Sequence, residues 1–236
     1  MAIPRLTELA YARYRTLTRA EHALLAAAQG AHYELGWHPQ ERIEDLPVAD
    51  WKTWPAASVV RAPLVRWLCA APEARAHVAV TTLAIAGSRV EGELDLAGLD
   101  LPFALFILRS AVPEGVDLSH ARGKQLTVAD AWVGAIVADG CRLEGDLALR
   151  CRCPGPVSFY GASIEGSVGL DGHYGGERAP AVERGGAAAD ALAPATVSFA
   201  GASLRTAVVA ESCVVEGRLS FNDAQVAGDL IVEGLL

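Results

Sequence analysis

The chain has 236 residues, 52% of them hydrophobic, 20% charged and only 6% aromatic, with a formal net charge of −8. That apolar content excludes a disordered chain and suffices for the core of one large or two small domains. The charge is uneven, with nine Lys/Arg against eight Asp/Glu in residues 1–80 but eleven against twenty in residues 81–236, so a nucleic-acid partner, which needs a basic face, is not expected there. A basic protein surface is the better match.

Residues 1–80 read as a helical N-terminal cap domain. Leu6, Leu9, Ala10 and Arg13 predict a first short helix. Thr18-Arg19-Ala20-Glu21 has the form of a capping box, with Thr18 as N-cap and Glu21 at the third helical position. The helix it starts runs through Ala23–Ala28 and stops at Gly30. From His32 to Pro55, three tryptophans (Trp37, Trp51, Trp54) alternate with the breakers Pro39, Pro47 and Pro55, which predicts loop with short helical turns. A further helix begins with Pro63 in its first turn, contains Trp67 and Cys69, and ends before Pro72.

Residues 81–236 carry a repeat. Apolar or small residues pair at alternate positions, as in Val197/Phe199, Ala202/Leu204, Val208/Ala210, Cys213/Val215, Leu219/Phe221, Ala224/Val226 and Leu230/Val232. The second members are spaced alternately by five and six residues. The same rhythm runs from Val90 through Leu96, Leu101, Ile107, Val112, Leu118, Gly123, Val128, Val133, Ala138 and Leu143 to Leu149. Counting Pro154 as one step, it resumes at Phe159, Ile164 and Leu170. Each pair is a very short strand segment, and the residues between pairs turn a corner. Such units bury a core only by stacking, so the pattern predicts a four-sided solenoid of five to six coils. At about 4.8 Å per coil it is roughly 25 to 30 Å long. The stretch 173–196, rich in Gly, Ala and charge, reads as a flexible insertion.

Units such as Ala162-Ser163-Ile164-Glu165-Gly166, Ala202-Ser203-Leu204-Arg205-Thr206 and Ala224-Gln225-Val226-Ala227-Gly228 resemble those of pentapeptide-repeat proteins. The resemblance implies a mainly β fold, a right-handed quadrilateral β-helix, here with an α-helical N-terminal cap. Some such proteins look like B-DNA to type II topoisomerases and shield them, so the resemblance also implies, as an alternative, a DNA-mimic-like binder and protector of a type II topoisomerase. Gly87-Ser88-Arg89-Val90-Glu91-Gly92-Glu93-Leu94-Asp95-Leu96 after a helical N-terminus is similar to an actinobacterial group often labelled membrane-associated oxidoreductase.

Apolar-Glu-Gly recurs at Val90-Glu91-Gly92, Leu143-Glu144-Gly145, Ile164-Glu165-Gly166 and Val215-Glu216-Gly217, which places an acid at the start of a corner and a glycine where positive φ is needed. Glu144 and Glu165 fall one coil apart and share a column. Glu91, Glu93, Glu144, Asp146, Glu165 and Glu216 are therefore the expected contacts for a basic protein partner. Trp51, Trp54, Trp67 and His77 are the expected lining of any pocket between cap and first coil, the place for an enzyme or ligand-binding alternative. Leu230, Val232, Leu235 and Leu236 are expected to pair two copies through the C-terminal coil into a homodimer.

No catalytic residue, metal site or cofactor is expected. Cys151-Arg152-Cys153 lacks a second ligand pair, and no histidine sits in a nucleophile motif. Cys141 and Cys213 read as core fillers in slots otherwise held by alanine. Five cysteines are an odd number, and Met1-Ala2-Ile3-Pro4-Arg5 does not open a secretory signal, so a reduced, cytoplasmic protein is expected. No run of about eighteen apolar residues predicts a transmembrane segment.

Overall fold

A strand two or three residues long can bury alternate side chains only if equivalent strands stack above and below it. The structure, a computed structural model, describes residues 6–30, 48–175 and 197–232. It is mainly β, a parallel β-solenoid of about six turns with an N-terminal helical region.

One coil serves for all. Strand Leu126–Val133 forms sides one and two, Ile136–Val137 side three and Arg142–Leu143 side four, and the next coil starts with Leu147–Cys153. Each segment pairs in parallel with its equivalents on the coils before and after, for example Val116–Ile136–Val157 on side three and Gly123–Leu143–Ile164 on side four. Sides one and two are a single bent strand: the register shifts between Arg150 and Cys151 and skips Asp130, as a β-bulge does when it turns a strand. Asp130 has φ 51°, and the equivalent Arg109 and Gly87 have 45° and 57°. Sides one and two thus share a ten-stranded sheet, while sides three and four form sheets of six and five strands.

The alternate positions picked out by the spacing point inward. Val90, Leu96, Ile107, Val112, Val128, Val133, Ile164 and Leu170 are all buried. One frame differs from the sequence reading: Cys153, not Pro154, takes the inward slot beside Val133. Strand Val168–Gly175 also continues through residues assigned to the insertion. Tyr174 is wholly buried, its hydroxyl donating to the Leu149 and Asp171 carbonyls, so residues 173–175 belong to the solenoid. Residues 176–196 lie outside the described residues. Phe159, Phe199 and Phe221 stack on successive coils with centroids 5.1 and 5.4 Å apart and planes within 7°.

Corners have two physical solutions. Between sides three and four, Gly98, His120, Gly140, Gly161, Gly201 and Asp223 occupy one column, all with φ between 57° and 69°. Only glycine or a short polar residue adopts that region readily. Between sides four and one the sequence reading needs correction. Gly145 and Gly166 do not have positive φ; a Cβ on Gly166 would lie 2.3 Å from the Gly145 carbonyl carbon, so glycine is needed there because successive turns touch.

The cap consists of α1 (Leu6–Tyr14), α2 (Arg19–Ala28), α3 (Ala62–Ala70) and α4 (Pro72–Arg75). The capping box at Thr18 and Glu21 is formed. Between α2 and α3, strand Val59–Arg61 pairs with Arg89–Glu91 and adds a rung to side two. Glu21 joins cap to solenoid. It is fully buried, accepts the Thr18 N–H at 2.9 Å, and accepts Arg61 Nε at 2.6 Å, Arg61 Nη2 at 2.7 Å and the Arg61 N–H at 3.1 Å. Thr18 Oγ1 donates to the Val59 carbonyl and Arg61 Nη2 to that of Thr16. Burial pushes the Glu21 carboxyl up, but the Arg61 guanidinium and the Thr18 and Arg61 amides outweigh it and hold it below the usual carboxylate value.

Two tests follow from this packing. Gly123 fills an inward slot where Leu101 and Leu143 stand on the adjacent coils, leaving a cavity of about 10 Å³, and an added Cβ would sit 3.5 Å from Leu143 Cδ2. Urea denaturation is expected to show Gly123→Ala stabilising by about 0.5–1 kcal/mol and Gly166→Ala destabilising by about 2 kcal/mol. Glu21→Gln leaves Arg61 without its carboxylate and costs about 3 kcal/mol. Because the folded carboxyl lies below its unfolded value of about 4.3, its stabilisation is complete above that pH and is lost as pH falls through the folded value. The Gln variant therefore loses that part of the acid slope.

Candidate functional site

In a solenoid whose interior is filled, chemistry is displayed on the outer faces and corners. The six acids expected to meet a partner fall on two corners. Glu91 and Glu93 follow strand Arg89–Glu91 between sides two and three, and Glu216 ends strand Val208–Glu216 at the same corner. Glu144 and Asp146 lie between sides four and one, as does Glu165 one coil later. All six are exposed. The two corners are diagonally opposite on the four-sided coil, so the structure does not gather the acids on one face.

Several of these acids already have internal partners. Leu143 pairs with Ile164, which stacks Glu144 beside Glu165 as the spacing requires. Gly123 pairs with Leu143 below and Leu204 with Ile164 above. Lys124 therefore stands under Glu144 and makes an ion pair with it, and Arg205 stands over Glu165 at 3.2 Å. The column runs positive, negative, negative, positive, and the chain itself neutralises the like-charged pair. Asp146 Oδ1 accepts the Ser167 N–H on the next coil at 2.8 Å. Glu216 meets His173 Nε2 at 2.7 Å, and Glu91 is the register partner of Arg61. Lys124 and Arg205 were missed in the sequence, although counting one coil back and forward from the acids leads to both.

The cap tryptophans have different surroundings. Trp51, in the 3-10 segment Val48–Thr53, meets Trp132 on the outer surface of side two at 5.4 Å. Trp67 packs edge-on against Tyr14 at 6.2 Å and donates Nε1 to Glu73 at 3.1 Å. Trp54 is buried, and its Nε1 has no acceptor among the described residues. His77 is half-buried after α4, its backbone N–H donating to the Ala74 carbonyl. Trp37 lies outside the described residues.

On the last described rung Leu230, Ile231 and Val232 are 50%, 39% and 38% exposed; Leu235 and Leu236 lie outside the described residues. All five cysteines are free and buried. Burial pushes the thiols of Cys69, Cys141 and Cys151 up to about 12 and those of Cys153 and Cys213 up as well, so none is a ready thiolate. Among the described residues no group of three or more His, Cys, Asp or Glu is placed to hold a metal ion, and no helix is long and apolar enough to cross a membrane.

Arg205→Gln is expected to leave Glu144 and Glu165 stacked with one cation between them, costing about 0.5 kcal/mol. The loss should shrink in 1 M salt, where like charges are screened; thermal melts at two salt concentrations measure it. Compared with protein-family models, curated proteins and solved structures, the chain matches none, so no relative adds to what the geometry says.

Proposed function

We propose that the chain is a non-enzymatic protein–protein interaction module or scaffold, a pentapeptide-repeat-like solenoid whose acid-bearing corners receive a basic protein surface. The observation behind this reading is the rigid stacking of rungs, which holds outward side chains in columns at strand spacing while apolar side chains fill the interior. Two corners are candidate contacts, one bearing Glu91, Glu93 and Glu216 and the other Glu144, Asp146 and Glu165, and acids at both already have partners within the chain. The same reading has Leu230 and Val232, with Leu235 and Leu236, joining two copies at the C-terminal coil; the exposed apolar rung Leu230–Val232 supports it.

A second reading, a ligand or redox site among Trp51, Trp54, Trp67 and His77, draws on the buried Trp54 indole N–H, which has no acceptor among the described residues. A small molecule retained in native mass spectra of the purified protein would favour it.

The test of the first reading is capture of partners from a lysate on the immobilised protein at low and high salt. A partner released by salt, and held at least tenfold more weakly by the combined Glu91→Gln, Glu93→Gln and Glu216→Gln variant, is the expected result. A partner held equally by that variant, or held only through apolar contacts at high salt, overturns the acidic-corner assignment. Sedimentation of the free protein should give a dimer that Ile231→Lys dissociates; a monomer at tens of micromolar rules the dimer out.

A further inference from the structure

Several basic side chains are matched one to one with carboxylates: Arg66 of α3 with Asp95 and, on the solenoid, Lys124 with Glu144, Arg150 with Asp130 and Arg205 with Glu165. Side four departs from this. Arg122 and Arg142 are register partners on adjacent coils, both outward and exposed, and so about 4.8 Å apart along the axis. Neither makes an ion pair among the described residues.

His120 belongs to the same cluster. It occupies the left-handed corner position two residues before Arg122, and Gly140 occupies the equivalent position two residues before Arg142. A Cβ on Gly140 would fall 2.6 Å from His120 Nδ1 and 2.9 Å from Cε1. The imidazole therefore lies across Gly140 and spans the two coils that carry the arginines. It is exposed and has no hydrogen-bond partner among the described residues.

The carboxylates nearby do not neutralise the pair. Asp139, beside Gly140, is turned to the following coil, where its Oδ1 accepts Ser158 Oγ and the Tyr160 N–H. Asp100 bridges to Arg122 through the backbone and forms no ion pair with it. Past Arg142 the column continues with the hydroxyls of Ser163 and Ser203.

Like charges facing each other on neighbouring strands repel. One column away, the stacked pair Glu144 and Glu165 is compensated by Lys124 and Arg205; Arg122 and Arg142 make no ion pair among the described residues, although Asp100 stands on the coil next to Arg122. We infer that His120, Arg122 and Arg142 form a site for a phosphate group. A single carboxylate is matched by one guanidinium, as in the Arg150–Asp130 and Arg205–Glu165 pairs. Two guanidiniums and an imidazole match instead a phosphate, with nearly two negative charges and three acceptor oxygens. This site is separate from the acidic corner between sides two and three and stands whether or not that corner binds a partner.

The test is a titration of the whole chain with inorganic phosphate, and separately with O-phosphoserine, at ionic strength held constant with chloride. NMR of the arginine Nε–H groups follows the site. Saturable one-to-one binding that moves the Arg122 and Arg142 signals is the expected result, and at net charge −8 general attraction for anions does not mimic it. Arg142→Gln should weaken binding about tenfold or more, and Arg122→Gln with Arg142→Gln should abolish it without lowering the melting temperature. A linear response equal to that of chloride, or phosphate affinity unchanged in the double variant, overturns the assignment. Tighter binding of O-phosphoserine identifies a phosphorylated ligand, and tighter binding of inorganic phosphate the free ion.

Discussion

Parallel stacking at strand spacing is the constraint on which this molecule depends. Once each coil lies about 4.8 Å above the last, every position becomes part of a column, and each residue is tested against the same position one coil away. A column tolerates what can sit beside itself. Leucine and valine do so by packing, as in the column Leu101, Leu143, Ile164, Leu204. Phenylalanine does so by ring stacking, as Phe159, Phe199 and Phe221 do. The stacked acids Glu144 and Glu165 do so with Lys124 and Arg205 on either side.

The same constraint explains the corners. Where the chain turns from side three to side four, the backbone enters the left-handed region on every coil, so the column holds only Gly, His or Asp. Where it turns from side four to side one, the dihedrals are ordinary but successive turns touch, so a side chain at Gly166 has no room. Two unrelated physical demands thus select one residue type, and the phrase Glu-Gly recurs for different reasons at different corners.

Stacking also leaves two ends to close. At the N-terminal end the cap does so with a strand of its own, Val59–Arg61, which extends the solenoid's hydrogen bonding, and with the buried Glu21–Arg61 pair, which fixes α2 against that strand. A buried carboxylate is tolerable there because four donor contacts from Thr18 and Arg61, backbone and side chain, surround it. At the other described end the rung Leu230–Val232 keeps apolar side chains exposed. Between these ends the described outward side chains stand in columns at fixed spacing.

The sequence by itself determined the solenoid. Alternate apolar residues at steps of five and six identify which side chains point inward, because a short strand has a period of two and a corner resets it. The capping box at Thr18, the helix after Ala62 and the column shared by Glu144 and Glu165 were legible for the same reason: each rests on local spacing. What only the tertiary structure decided concerns partners distant in the chain. Glu21 was legible as a cap but not as the buried partner of Arg61, forty residues on. Trp51 was placed with Trp67, yet its ring partner is Trp132. The bend that merges sides one and two, the continuation of the strand through Tyr174, and the unmatched His120, Arg122 and Arg142 depend on which atoms meet across coils. Spacing names the column a residue occupies; only the folded chain shows what stands opposite it and whether its charge is already answered.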